Sequence, residues 1–219
     1  MTATSPDDAT LRDDGLAPRG AGRVLLIACG ALAREILDLT RLNGWDHLDL
    51  ACLPAILHNR PDRIVPALEE ALAKHGRGYD AIRVVYADCG TGGALQAACD
   101  RLGLEMVEGP HCYAFYEGLD AFAARDEIDA FYLTDFLVRQ FDAFVWKPLG
   151  LDRHPELRDA YFGHYRTLVY QAQTDDPALT ALAESHAERL GLAFERRLTG
   201  YGDLETTLAR WSAEARART

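Results

Sequence analysis

The chain has 219 residues, 48% hydrophobic and 26% charged, with a formal net charge of −11 and five cysteines. This length and balance describe a globular protein with a substantial core and exclude fibrous and disordered classes. The negative charge, with no offsetting Lys/Arg cluster, disfavours nucleic acid as a partner, and no stretch approaches the roughly 20 apolar residues that a bilayer span requires.

Residues 1–22 lack both an apolar signal core and a basic amphipathic pattern, and they read as the disordered polar tail of a cytoplasmic protein. An odd number of cysteines without a secretion signal fits a reducing compartment better than a disulfide framework. Residues 23–219 read as a single α/β domain. It opens with RVLLIA at 23–28, a continuous apolar run of the kind expected for a strand buried on both faces. Gly30 follows, and Leu32, Ile36, Leu37 and Leu39 recur near helical spacing up to an Asn43-Gly44 stop, which predicts a helix over 31–42. HLDLACL at 47–53 is the second strand. The loop after it runs through Pro54 and HNRP to Asp62, which stands where it would cap a helix carrying Ile64, Ala67, Leu68, Ala71 and Leu72. AIRVVYA at 81–87 is the third strand, DCGTGG at 88–93 a glycine-rich turn into a helix that contains Cys99, and 105–108 a short fourth strand ending at GPHCY. Strand-to-helix units in this succession predict a Rossmann-like, mainly parallel sheet with helices on both faces.

Residues 114–166 depart from that rhythm. They are rich in aromatics and broken at Lys147-Pro148 and His154-Pro155, which predicts a helical insertion over the sheet edge. A strand resumes at 167–173. Asp176-Pro177 then opens a helix with an acid at the cap and proline in the first turn, 193–198 is a last strand, and a helix runs from about residue 203 to the end.

Cys29, Cys89 and Cys112 each sit where an apolar run gives way to a turn. In a parallel sheet these points lie at the carboxyl edge, where ligands bind. Thiolate is a soft ligand for zinc, iron–sulfur clusters and Cu(I), and turns that lead into helix starts favour the anion. The three can hold one metal centre. An imidazole as fourth ligand suits zinc, and three thiolates with no fourth protein ligand suit a [4Fe–4S] cluster. Their spacing is no CxxC signature, and free cysteines also pack as small hydrophobes, the reading given to Cys52 and Cys99.

Gly90, Thr91, Gly92 and Gly93 allow close backbone approach and aim N–H groups at a substrate carboxylate or phosphate, unless they serve only as a tight turn. The turn is neither a Walker motif nor a dinucleotide fingerprint. Asp88 is an acid/base candidate or a helix cap. His111 and Cys112 are adjacent, and neighbours in an extended segment point to opposite faces, so Cys112 is taken as the ligand and His111 as acid/base or as support behind it. His58, Arg60 and Asp135 fall in loops, where each orients substrate or serves as a cap or surface ion pair.

Taken together, LIACGALAREI, LPAILHNRP, YADCGTGG, GPHCY, FYLTDFL and LGLDRHPELRDAYFGHY resemble, over about residues 23–201, a bacterial and archaeal family catalogued as domain of unknown function 1638. The resemblance implies a tie to one-carbon or methylamine-type metabolism, through members encoded near corrinoid-dependent methyltransferases, and it transfers no reaction. A looser similarity is to quinolinate synthase, in which three Rossmann-like units each give one cysteine to a [4Fe–4S] cluster with an open iron; order and spacing differ here.

Three functions follow as expectations. The first is a metal-binding α/β protein, an enzyme of lyase or transferase type, acting on a small anionic metabolite of one-carbon metabolism near residues 90–93. The second is a metal-free transferase or hydrolase with a thiolate nucleophile and His111 or Asp88 as base. The third is a non-catalytic accessory partner of a corrinoid methyltransferase, docking through the aromatic insertion.

Overall fold

The computed structural model describes residues 6–217, and the chain divides into two compact units, Met1–Cys112 with Asp203–Thr219, and Tyr113–Gly202. The first unit holds strands β1 (Val24–Cys29), β2 (Leu48–Leu53), β3 (Ala81–Val85) and β4 (Glu105–Met106), all parallel in the order β2-β1-β3-β4. Every residue of β1 and β2 is buried, which is why both read as near-continuous apolar runs rather than alternating ones. From β1 the chain moves to β2 on one side and then to β3 on the other. The strand order therefore reverses between β1 and β3, and the carboxyl ends of these two strands flank the crevice where open α/β sheets take ligands. Helices Ala33–Leu42, Ile64–His75 and Ala94–Leu102 connect the strands. The helix Gly202–Ala217 buries Leu208 and Trp211, and the Trp211 indole donates to Glu105 at 2.8 Å.

Two boundaries differ from expectation. Asp62 is no helix cap: it lies in a 3-10 turn, Pro61–Arg63, that feeds the helix Ile64–His75, and that helix has no side-chain cap. The polar N-terminal tail is ordered from residue 6, while residues 1–5 lie outside the described residues. Asp7 caps a short helix, Asp8–Asp13, by accepting from the Thr10 amide at 3.2 Å. Leu11 on that helix is fully buried, and a Cβ on Gly30 would collide with the Leu11 carbonyl oxygen, so the glycine after β1 is what lets the segment pass. Leu16 then pairs with Cys52 as an antiparallel bridge, and the buried carboxylate of Asp49 accepts the amides of Arg19 at 2.9 Å and Gly20 at 2.6 Å. Only two apolar side chains anchor this stretch, too few to show as a periodic pattern.

The second unit has its own parallel sheet, β5 (Ala130–Thr134), β6 (Thr167–Ala172) and β7 (Ala193–Leu198), in the order β5-β6-β7. The stretch 114–166 is thus not a purely helical insertion. Its AFYLT core is a strand, flanked by short helices at Ala114–Glu117, Leu119–Arg125, Asp135–Arg139 and Arg158–Phe162 and a π-type turn at Asp142–Trp146. A five-residue strand among aromatics carries too few periods to be told from a helix, and pairing with β6 decides it. Asp176 caps the helix Pro177–Leu190, accepting from Ala178 at 2.7 Å. Among the described residues no helix is long and apolar enough to cross a membrane.

Because Leu11 is wholly buried, Leu11→Ala is expected to lower stability by about 2–4 kcal/mol. Urea unfolding measures this, and a loss below about 0.5 kcal/mol would show the N-terminal segment to be dispensable to the fold.

Candidate functional site: thiols at a sheet edge

Cys29 is the last residue of β1, and Cys89 and Cys112 lie in the loops that follow β3 and β4. Past the strand ends the β3–β4 pairing continues as two backbone hydrogen bonds, from Asp88 N–H to the Gly109 carbonyl and from Cys89 N–H to that of Pro110, both at 3.0 Å. These bonds draw the GPHCY loop alongside the DCG turn. The sulfurs of Cys89 and Cys112 consequently meet at 3.1 Å, 23 residues apart in sequence. Cys29 approaches from β1, close enough to be raised by Cys89 and to raise Cys112 in turn. Since Ala28 pairs with Val85, Tyr86 continues the register beside Cys29 on the same face, and its buried hydroxyl neighbours all three thiols. Tyr86 is the functional candidate that sequence reading missed. Its available signal was a phenol at the end of a buried strand, which needs a partner for its O–H.

The sulfurs are far from equivalent. Burial, with nearby Cys89 adding to it, pushes the Cys29 thiol up to about 12. The hydrogen bond between the two sulfurs, in which either can donate, holds Cys89 below the ordinary thiol value and pushes Cys112 well above it. Placement before helix starts therefore does not lower all three thiols. Only Cys89 is lowered, and a second cysteine is the main cause. Cys89 also has φ +47°, a left-handed conformation that costs a side-chain-bearing residue about 1–2 kcal/mol.

The glycine-rich turn is organised from within. The Asp88 carboxylate accepts the Thr91 hydroxyl at 2.8 Å and the amides of Gly92 at 3.1 Å and Gly93 at 2.6 Å, and these donors hold its pKa below the usual carboxylate value. Two expectations change. The amides of Gly92 and Gly93 offered to a substrate anion are already engaged by Asp88, and an Asp88 so stabilised as the anion is a turn organiser rather than a proton donor near neutral pH. Gly93, at φ +85°, adopts the left-handed conformation from which the helix Ala94–Leu102 starts. Gly90 is exposed and lies against the Pro61 ring.

His58 and His111 come near each other from two loops. Crowding by surrounding protein, and then this mutual proximity, hold His58 below its ordinary pKa; partial burial lowers His111, so its imidazole is neutral near pH 7. Arg60 is exposed in the loop after β2, 3.8 Å from Asp62. Asp135 belongs to the second unit, buried after β5, where it accepts from the Tyr170 hydroxyl at 2.7 Å and the Thr174 hydroxyl at 2.6 Å. Those bonds make it a fixed structural node. Cys99 is buried in its helix against the Met106 sulfur at 3.8 Å, and Cys52 is buried in β2. Among the described residues no group of three or more His, Cys, Asp or Glu side chains is placed to hold a metal ion. Cys89 and Cys112 are the pair in contact, and Cys29 is their neighbour.

Fold and site define an α/β protein with a cluster of buried thiols at the sheet edge where strand order reverses. The chain belongs to the family described as "Protein of unknown function (DUF1638)", whose sequence model matches residues 52–208, a span that includes Cys89 and Cys112 and begins after Cys29. No curated protein and no solved structure matches the chain.

Two outcomes follow from this geometry. Glycine relieves the left-handed strain that alanine retains, so Cys89→Gly is expected to exceed Cys89→Ala in unfolding free energy by about 1 kcal/mol, read from paired denaturant curves. In metal-free protein, Cys112→Ala deletes the sulfur bonded to Cys89, so the pH midpoint for alkylation of Cys89 by iodoacetamide rises; an unmoved midpoint, followed by peptide mass spectrometry, would show that Cys112 does not lower Cys89.

Proposed function

We propose that Cys29, Cys89 and Cys112 hold one thiophilic metal ion of the zinc type, beside an opening for a small anionic metabolite. The observation that carries this reading is the 3.1 Å contact between Cys89 and Cys112 at the reversal point of the sheet, with a third thiol adjacent. Two sulfurs on one tetrahedral zinc, each at about 2.3 Å, stand about 3.8 Å apart, so the pair needs to widen by only about 0.7 Å. Each cysteine of a cubane cluster binds a different iron, which would require touching sulfurs to part further. The contact therefore favours a single ion over [4Fe–4S]. Electrostatics supports the same reading: three crowded, buried thiols cannot all become anions by themselves, and a dication that replaces their protons removes the conflict.

When bound, such an ion supplies a Lewis acid or an anchoring point for a substrate carboxylate or thiol. The chain's own residues do the rest. His111, neutral near pH 7, is available to accept a proton or to serve as the fourth ligand. Arg60 brings positive charge toward an anion entering at the loop after β2, and Asp88 keeps the neighbouring turn rigid. The family resemblance directs the search for that metabolite to one-carbon and methyl-group metabolism.

A second reading draws on the lowered value of Cys89. In it Cys89 acts without metal as a nucleophile toward an electrophilic carbon, with His111 taking up the proton.

Purification without oxygen followed by metal analysis separates the two. One ion per chain is expected, lost in Cys29→Ala, Cys89→Ala and Cys112→Ala and retained in Cys99→Ala. A wild-type chain that carries no metal and takes up neither Zn²⁺ nor Co²⁺ overturns the metal reading and leaves the nucleophile.

A further inference from the structure

Resting on that thiol-site reading, one buried group remains unexplained. Tyr86 is 2% exposed, and its hydroxyl meets no partner at full hydrogen-bond geometry, the group within its reach being the Cys29 sulfur. A buried O–H without a partner costs about 1–3 kcal/mol, so such a group usually has one in the functional state of a protein. The surroundings of this hydroxyl are specific. It neighbours the sulfurs of Cys29, Cys89 and Cys112, with Cys29 the nearest in register, because Ala28 pairs with Val85 and the two residues that follow lie side by side. A protonated thiol is a weak acceptor, whereas a thiolate is a strong one. The hydroxyl thus stands beside a sulfur that accepts weakly as a thiol and strongly as a thiolate.

We infer that Tyr86 is a positioning residue of the thiol site, donating its O–H to the Cys29 sulfur once that sulfur is a metal-bound thiolate. Cys29 arrives from β1, whereas Cys89 and Cys112 are already held together by their backbone bonds, so Cys29 is the ligand that most needs orientation. The phenol gives it one: a donor on the adjacent strand, fixed by a buried ring. Hydrogen bonds from outside the ligand shell generally orient ligands and tune the metal in this manner.

The test uses Co²⁺, whose sulfur-to-metal charge-transfer band reports directly on thiolate ligands, on the full chain stripped of metal and kept anaerobic. Tyr86→Phe keeps the ring and removes only the donor. It is expected to bind one Co²⁺ about tenfold more weakly than wild type or worse, with the band moved to longer wavelength because the sulfur lone pair is no longer stabilised. In the metal-stripped chain, where Cys29 keeps its proton, the same substitution is expected to leave the urea midpoint of unfolding unchanged. A Tyr86→Phe chain that matches wild type in affinity and band position overturns the inference, as does a clear fall in the metal-free midpoint with the band unmoved, which would mark a merely structural role. Should Tyr86→Phe fail to fold, fluorotyrosine at position 86, a stronger donor, is expected to move the band to shorter wavelength, and an unmoved band counts against the inference. Absence of any band in wild type removes the thiol-site reading itself, and this inference with it; a wild-type band that the variant reproduces removes the inference alone.

Discussion

Two backbone hydrogen bonds beyond the ends of β3 and β4 carry the site. The strand β4 is two residues long, so the ladder proper ends at Met106, and without the bonds from Asp88 and Cys89 to Gly109 and Pro110 the GPHCY loop would have no register. With them, a loop of otherwise free conformation delivers one sulfur to another at contact distance. The left-handed backbone of Cys89 is the counterpart of this arrangement. Strain of that size persists only where surrounding structure over-determines the conformation, and here the amide of Cys89 on one side and the Asp88-centred turn on the other do so.

The chemistry follows from crowding sulfur in a low-dielectric place. Burial resists charge on every thiol, and proximity resists a second charge once the first has formed, so the bonded pair splits, Cys89 lowered and Cys112 raised. Cys29 stays protonated under the same pressure. An arrangement of this kind gains from a cation more than an isolated surface thiol would, because the cation relieves three penalties together. The Tyr86 hydroxyl fits the same logic, as a donor placed where anionic sulfur would be its acceptor.

The glycine-rich turn illustrates how a sequence feature can be absorbed locally. Three glycines between a strand and a helix present amides that suit an anion, and here the anion is the preceding side chain. Asp88 stands one residue before Cys89 and bonds back to Gly92 and Gly93, so the turn serves to aim Cys89 rather than to cradle a substrate. An acid at the head of such a turn is a competitor for its amides, and that competition is visible in the sequence once the question is asked.

Much of the fold was legible along the chain, because its cause is local. Buried parallel strands show as unbroken apolar runs, helices as apolar residues at helical spacing, and the Asp176-Pro177 start as a cap followed by a residue that needs no amide partner. The three edge cysteines were visible for the same reason, each standing where an apolar run stops. Short-range pattern could not reveal β5 among its aromatics or the order in a tail held by Leu11 and Leu16, since each depends on partners distant in sequence. Nor could it decide which sulfurs touch, or that a tyrosine stands among them. Strand order and register decide that, and they are set by the pairing of whole elements: the sequence determined which residues reach the edge, and only the tertiary structure decided which of them meet.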